Sequence, residues 1–425
     1  MKRLVVIRSA VSVPTEIQRV EWRTGMPEIL DRPQATGAGT ELDREVVARV
    51  TALVPLIREH AEKSSEERRV VPEVMAALEE AGLLKLLVPR RLGGSETNLR
   101  TMMECVAEVG RGDGSTAWAV ALLNVCTWFS TTFSDEAQDE VFSTPEAKAC
   151  GIFSPPLKSE KVDGGYLVSG RWAYSSGSFA ATWASLGIGV EGDDPRALAL
   201  IPSSAWKIEP TWFVAGMKGS GSDTIVVEDH FVPEHRIQRF ADMVEGDFRT
   251  SHKGDEQNAN MAFIPVAAIV LVGAQIGLAR HALERTLANL PKKNVAYTCY
   301  TNARNSPTHQ LGVAEAATRF DQAEMLMRRA CADVDGAAAG GVQLDRLTRA
   351  RVRMDTGIIG ELVKDGIDKL MTANGASSFA DGNVLSRIWR DSEIAGRHAL
   401  VMPELGKEAY GRLLLGADEP LTIDI

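Results

Sequence analysis

Seven histidines (His60, His230, His235, His252, His281, His309 and His398) are scattered along the chain. None falls in an H-E-x-x-H or comparable ligand spacing, so a dedicated metal site is not expected. There is no G-x-S-x-G elbow for a nucleophilic serine and no G-x-x-x-x-G-K-[ST] loop for a nucleotide phosphate. Gly216-Met-Lys-Gly219-Ser-Gly221 is rich in glycine but lies between predicted strands rather than at a strand-to-helix entry. It reads as a turn, and no nicotinamide site is expected. Three segments remain. Phe153-Ser-Pro-Pro156 and Gly170-Arg-Trp-Ala-Tyr-Ser-Ser-Gly177 combine hydroxyls with aromatic rings, and Leu385-Ser-Arg-Ile-Trp-Arg-Asp391 is followed by Gly396-Arg-His398. A neutral imidazole such as His398 can accept a proton or a hydrogen bond near neutral pH. Taken singly, each segment also has a structural reading. Trp172 and Tyr174 suit a core, Ser175-Ser176-Gly177 a turn, Arg390-Asp391 an ion pair, and His398 beside Arg397 a solvated helix face.

These segments are carried by an α+β succession of elements. Residues 1–40 hold several prolines and glycines without sustained periodicity and read as an irregular N-terminal extension. From 41 to 147 apolar residues recur at helical spacing, as in Leu42, Val46, Val50 and Leu53. Pro72 opens a helix that Gly82 ends, an extended apolar stretch follows to Pro89, and another helix starts at Leu99. From 148 to 250 the period changes to two. Val162-Asp-Gly-Gly-Tyr-Leu-Val-Ser-Gly170 predicts a hairpin, and short strands follow at Trp183–Val190, Ala197–Ile201, Trp206–Phe213 and Thr224–Val232. Their number and punctuation predict a small antiparallel β-barrel. From 251 to 425 long helical stripes return, such as Ile359, Val363, Ile367 and Leu370, and predict a four-helix bundle.

Composition narrows the partners. With 44% apolar and 24% charged residues the chain is ordinary for a globular protein. Its net charge of −10, without a basic run, argues against binding nucleic acid or an anionic membrane. Five cysteines (Cys105, Cys126, Cys150, Cys299, Cys331) are far apart, odd in number and without a C-x-x-C pair, as expected of reduced thiols in a cytoplasmic protein. The apolar stretch at the N-terminus ends at Arg8, too early for a signal peptide. The apolar run Ala262–Ala279 contains Pro265 and Gln275 and is rich in Ala and Gly, so it reads as a buried helix and not a membrane span.

In this order, the segments resemble the acyl-CoA dehydrogenase superfamily, which sets a helical domain, a β-barrel and a four-helix bundle around a flavin. The similarity is sharpest in 162–177, in Trp212-Phe-Val-Ala-Gly-Met-Lys-Gly-Ser-Gly-Ser-Asp-Thr224, continuing to Phe231-Val-Pro233, and in Ile388-Trp-Arg-Asp391. Within the superfamily the chain is most similar to the oxygenase components of two-component flavin monooxygenases, of the p-hydroxyphenylacetate and hydroxy-secosteroid hydroxylase type. That resemblance implies reduced FMN or FAD supplied by a separate NAD(P)H:flavin reductase, O2 as co-substrate, and oxygen transfer to an aromatic or heteroaromatic small molecule through a C4a-hydroperoxyflavin. It also implies a homotetramer. By resemblance, Ser175 is the hydrogen-bond partner of flavin N5, and Phe153, Ser154, Trp172, Tyr174 and Ser176 complete the cofactor site. His398 matches a C-terminal histidine that faces flavin and substrate, and Cys126, Trp128 and Met402 fall in the substrate pocket.

The chain also departs from that pattern. Cys126 stands where relatives of this type carry a second histidine, and Met402 where the secosteroid enzymes have an aspartate. A bulkier or less acidic acceptor than a simple phenol is therefore expected. The alternative, an acyl-CoA dehydrogenase or oxidase with tightly bound FAD, needs a carboxylate base; Glu393, Glu404 and Glu408 exist, but none lies in that group's motif. A non-catalytic binding protein would have no use for both Ser175 and His398.

Overall fold

Short polar side chains set the helix boundaries in this computed structural model, which describes residues 41–154, 158–192, 194–417 and 421–422. The extension assigned to 1–40, and Pro155 and Pro156 of the Phe153 segment, lie outside the described residues. All elements below belong to one compact unit, Ala35–Ile425. Asp43 accepts the amides of Glu45 and Val46 to start α1 (Arg44–Glu67). Pro72 opens α2 (Pro72–Glu80), Asn98 caps α3 (Leu99–Gly112), Asp113 caps α4 (Gly114–Ser130) and Ser134 caps α5 (Asp135–Val141). Each capping oxygen takes a first-turn N–H that has no partner within its own helix. Leu83 to Val88, expected to be extended, is buried but forms no strand. Asn124 of α4 substitutes for a ladder partner, accepting the Leu86 amide and donating to the Leu83 carbonyl.

The strands follow as β1 (Ala149–Ile152), β2 (Lys158–Val162), β3 (Gly165–Trp172), β4 (Trp183–Gly189), β5 (Arg196–Pro202), β6 (Trp206–Glu209), β7 (Thr224–Pro233) and β8 (Ile237–Arg239). The expected hairpin is present, with Val162 opposite Gly165 across the turn. The closed antiparallel barrel is not. The strands form two open four-stranded sheets, β1-β4-β5-β8 and β2-β3-β7-β6, and β1 pairs with β4 in parallel. Side chains join the sheets where no ladder does. The indole N–H of Trp172 on β3 donates to the Gly187 carbonyl on β4, and the Ser159 hydroxyl on β2 donates to that of Gly189.

The chain returns to helices with α6 (Phe240–Val244), α7 (Phe263–Ile269), α8 (Gly273–Asn289), α9 (Pro307–Ala339), α10 (Arg346–Asn374), α11 (Val384–Ala395) and α12 (Pro403–Leu414). The run from Phe263 to Lys292 is long and apolar enough to cross a membrane, yet 94% of its most apolar stretch is buried inside the protein. α10 packs on α8, α9, α11 and α12, and α3 packs on α8. Arg280 of α8 ties the first helices to the last through Glu104 and Glu108 of α3, at 2.6 and 3.2 Å, and Glu324 of α9, at 2.9 Å. Buried Asp335 of α9 accepts the Leu99 and Arg100 amides at 2.8 and 3.0 Å, so a distant helix completes the N-terminus of α3. Asp335→Ala should leave those donors unpaired and cost about 1–3 kcal/mol, read as a lower urea midpoint at unchanged slope; an unchanged midpoint would contradict the assignment.

Candidate active site

β3 ends at Trp172, and the chain then makes a turn that no regular element supports. Tyr174 sits at φ +66°, a left-handed conformation costly for a side chain of its size. A second loop holds it. The Ser175 and Gly177 amides donate to the Asp223 and Ser220 carbonyls, at 3.0 and 3.1 Å. The Ser175 hydroxyl donates to the Trp172 carbonyl at 2.9 Å. The supporting loop contains a second left-handed residue, Met217 at φ +53°. Asp223 accepts the Thr211 and Trp212 amides. The Met217 amide donates to Oδ1 of Asp391 on α11 at 2.5 Å, and its carbonyl accepts the Trp212 indole and the Ser220 hydroxyl. The loop lies so close to α11 that a Cβ on Gly216 would stand 2.2 Å from the Arg390 carbonyl oxygen. Residue 216 must therefore be glycine.

Asp391 thus clamps a loop rather than forming the ion pair read from Arg390-Asp391; Arg390 donates instead to Ser386. Oδ2 of Asp391 is buried without a partner. Burial, and then the nearby carboxylate of Asp113, push the Asp391 pKa up to about 7.

From the turn, hydrogen bonds run to α4. The Ser176 hydroxyl meets that of Ser222 at 2.7 Å and accepts the Trp118 indole N–H at 3.0 Å. The Trp118 ring lies 5.8 Å from that of His398, centroid to centroid. His398 is open to solvent on one side and crowded by protein on the others. That crowding, followed by the positive charge of Arg353, lowers its pKa to about 4. With water reaching the open side, the direction is what matters: the ring is neutral at pH 7. Its Nδ1 accepts the Leu400 amide at 3.1 Å, which leaves the proton on Nε2 as a donor.

Trp118, Leu122, Cys126 and Phe129 recur at helical spacing and share one face of α4. Cys126 packs on β1, where a Cβ on Gly151 would meet its sulfur at 3.1 Å. Phe129 meets Phe153 at 5.5 Å and Phe263 at 4.6 Å, and Phe240 closes this aromatic cluster. The structure therefore brings together Ser175, Ser176 and His398 by way of Trp118, and Cys126 and Phe153 by way of Phe129 and Gly151. Ser154 is exposed beside Phe153, and Tyr174 projects outward, edge-on to Trp212. Three further expected residues have other surroundings. Trp128 meets Phe129 at 5.4 Å, centroid to centroid, and donates its indole N–H to the Asn258 carbonyl. Trp172 is buried between the sheets. Met402 is exposed at the start of α12. Trp118, Ser220 and Ser222 were not singled out from the sequence, although Trp118 lies two helical turns before Cys126. A cavity of about 370 Å³ between Asp43, Arg90, Glu96 and Gln257 shares no residue with this seam.

Two family models match the chain, Acyl-CoA dehydrogenase, N-terminal domain, over residues 41–148 and Acyl-CoA dehydrogenase, C-terminal domain, over residues 269–403. The fold is acyl-CoA dehydrogenase-like, with helical domains and mixed α+β content. The chain is 31% identical, over 85% of its length and 96% of the relative's, to the flavin-dependent monooxygenase oxygenase subunit HsaA of Rhodococcus jostii (strain RHA1). It is 30% identical, over 90% and 96%, to the oxygenase component of the FADH2-dependent resorcinol hydroxylase of a Rhizobium species. XiaF from a Streptomyces species, solved with FADH2 and glycerol, superposes with a TM-score of 0.84 at 31% identity over 89% of this chain and 96% of that one. The chain belongs to the acyl-CoA dehydrogenase family and, within it, to the oxygenase components of flavin-dependent monooxygenases, which use reduced flavin.

Protonating His398 at Nδ1 would break the bond from Leu400. By NMR the ring should titrate below 6.5, the turn at Ala399–Val401 loosening as pH falls through that range. Titration at or above 6.5 would contradict this geometry.

Proposed function

We propose that the seam between the Tyr174–Gly177 turn, Trp118 and His398 is where reduced flavin and an apolar aromatic or heteroaromatic acceptor meet. The donor set supports this. Ser175 and Ser176 offer uncharged hydroxyls, suited to the nitrogen and carbonyl edge of an isoalloxazine. Beside them, exposed Tyr174, Phe179 and Phe213 carry Trp212 and the guanidinium groups of Arg68 and Arg69, which lie over Phe213 and Phe179. That surface suits a flat ring with an anionic tail. Bound reduced flavin supplies two electrons to O2 and, through it, one oxygen atom to the acceptor.

The chain's own residues hold, orient and dry. The Ser175 proton is committed to the Trp172 carbonyl, so the hydroxyl presents lone pairs to a ligand. Those match the N–H that a flavin carries at N5 when reduced. His398 presents an Nε2–H, a donor for a ligand oxygen rather than a base. Phe129, Phe153, Phe240 and Phe263 wall off water, with Phe153 and Ser154 at the edge of the site. Cys126 is held far above its usual thiol pKa by burial and so stays uncharged. This wall offers nothing to ionise a phenol, so we assign the acceptor to polycyclic aromatics, indole-like rings, or nitrogen or sulfur centres. Cys126 marks the departure from aromatic hydroxylases that carry a second histidine there, and Met402 the departure from the secosteroid enzymes, which have an aspartate.

The acyl-CoA dehydrogenase reading lacks its base among the described residues. Glu393 and Glu408 pair with Arg397 and Arg412, and Glu404 is exposed on α12. Without a nicotinamide motif of its own, the protein would take its flavin from a separate NAD(P)H:flavin reductase in the cytoplasm. Exposed Leu311 and Met325 on α9 support self-association to a homotetramer through a four-helix bundle built from α8 to α11.

The observation that carries this reading is the buried Ser175 hydroxyl, which spends its proton on the Trp172 carbonyl and accepts no hydrogen bond among the described residues. Anaerobic protein loaded with reduced FMN or FAD, then mixed with O2, should release hydrogen peroxide slowly; Ser175→Ala should speed that release about 10²–10³-fold. Equal release from both proteins would refute the role of Ser175. In substrate trials, an indole or a polycyclic phenol should be oxygenated faster than simple phenols, and the reverse order would refute the acceptor class.

A further inference from the structure

The Ser220 hydroxyl spends its one proton on the Met217 carbonyl, so Ser222 must donate to Ser220 and Ser176 to Ser222, and the bonds between Trp118 and Met217 share one direction. Trp118 donates to Ser176, Ser176 to Ser222, Ser222 to Ser220, and Ser220 to the Met217 carbonyl, at 3.0, 2.7, 2.6 and 2.8 Å. All four side chains are buried. Removing the middle hydroxyl leaves the Ser176 proton without its close acceptor, its next one being the Tyr174 carbonyl at 3.5 Å. At the far end, Met217 keeps its left-handed backbone because it is gripped on both sides. Asp391 takes its amide, and Ser220 and Trp212 donate to its carbonyl. At the near end, the Trp118 ring is packed against His398.

We propose that Asp391 and Ser222 are positioning residues: they lock the Met217 loop and, through this one-way serine chain, fix the Trp118 indole against His398. The inference rests on the seam being the flavin and acceptor site. It extends that reading to residues that touch neither. Loss of the chain lets Trp118 turn, which uncrowds His398 and loosens the Ser175–Ser176 turn from behind. What Asp391 supplies is one acceptor oxygen. Oδ2 has no partner and lies in a buried setting with Asp113, Arg387 and Arg390 around it. An amide side chain, which retains that oxygen, should therefore replace it.

The test uses the full chain labelled with 5-fluorotryptophan, in which eight fluorine lines are expected. The Trp118 line is the one that Trp118→Phe removes. In Ser222→Ala that line should move, and the His398 titration should rise toward 6.5. The time between O2 uptake and the return of oxidised-flavin absorbance should shorten about tenfold, as for a small misplacement of reacting groups. Asp391→Leu should move the same line, and Asp391→Asn should restore both the line and the titration. Should Asp391→Leu fail to fold, Ser222→Ala and Asp391→Asn decide the matter. An unmoved Trp118 line and an unmoved His398 titration in Ser222→Ala would overturn the proposal. So would a moved line with an unchanged oxidation time. Wild-type protein that leaves the oxidation of reduced flavin as it is in buffer would refute the functional reading instead. The fluorine and titration results would still decide the serine chain.

Discussion

One buried carboxylate joins parts of the chain that lie 174 residues apart in sequence. Asp391 of α11 takes the amide of Met217, and this bond, with the close approach of Gly216 to Arg390, seats a loop of the sheets on the C-terminal helices. The seated loop then supports the Tyr174–Gly177 turn through backbone bonds from Ser175 and Gly177. Without that backing, neither left-handed residue, Tyr174 or Met217, has a local reason to hold its conformation. The seam on which Ser175, Trp118 and His398 converge is therefore a product of tertiary contact, with each of its elements incomplete alone.

Charge is distributed to match. At the seam the groups are neutral or pushed toward neutrality: His398 by crowding, Cys126 by burial, Asp391 by burial beside Asp113. The strong ion pairs stand elsewhere, as where Arg280 ties α3, α8 and α9 together. Fixed dipoles among buried groups with few mobile charges strengthen each hydrogen bond made between them. Such a setting suits a reactive oxygen species that water or a stray proton would destroy. It suits a carboxylate-driven α-proton abstraction poorly.

Much of this was legible from local pattern, because local pattern reports what a residue does to its neighbours. Alternation and Asp163-Gly164 placed the hairpin of β2 and β3, and helical spacing placed α2, α3 and the long C-terminal helices. The run after Ala262 read as buried because alanine and glycine permit close helix packing, and Gly110 and Gly277 do stand against one another. Strand pairing was not legible. Alternation states which face a residue takes, not which strand lies beside it, so the parallel β1–β4 pair and the two open sheets escaped. Trp118 escaped for a related reason. All of α4 except Leu122 is buried, so polarity gave no contrast by which to choose the face that meets the site. Arg390-Asp391 read as an ion pair because neighbours in sequence are the only partners a sequence displays.

The central claim is that the turn at Tyr174–Gly177, the loop at Gly216–Asp223 and the His398 corner form one ligand-bearing seam. Amide hydrogen exchange of the anaerobic protein, with and without reduced flavin, tests it directly. Added reduced flavin should slow exchange in 173–178, 216–223 and 398–401 together, and oxidised flavin should do so less. Slowing confined to other segments, or none at all, would contradict it.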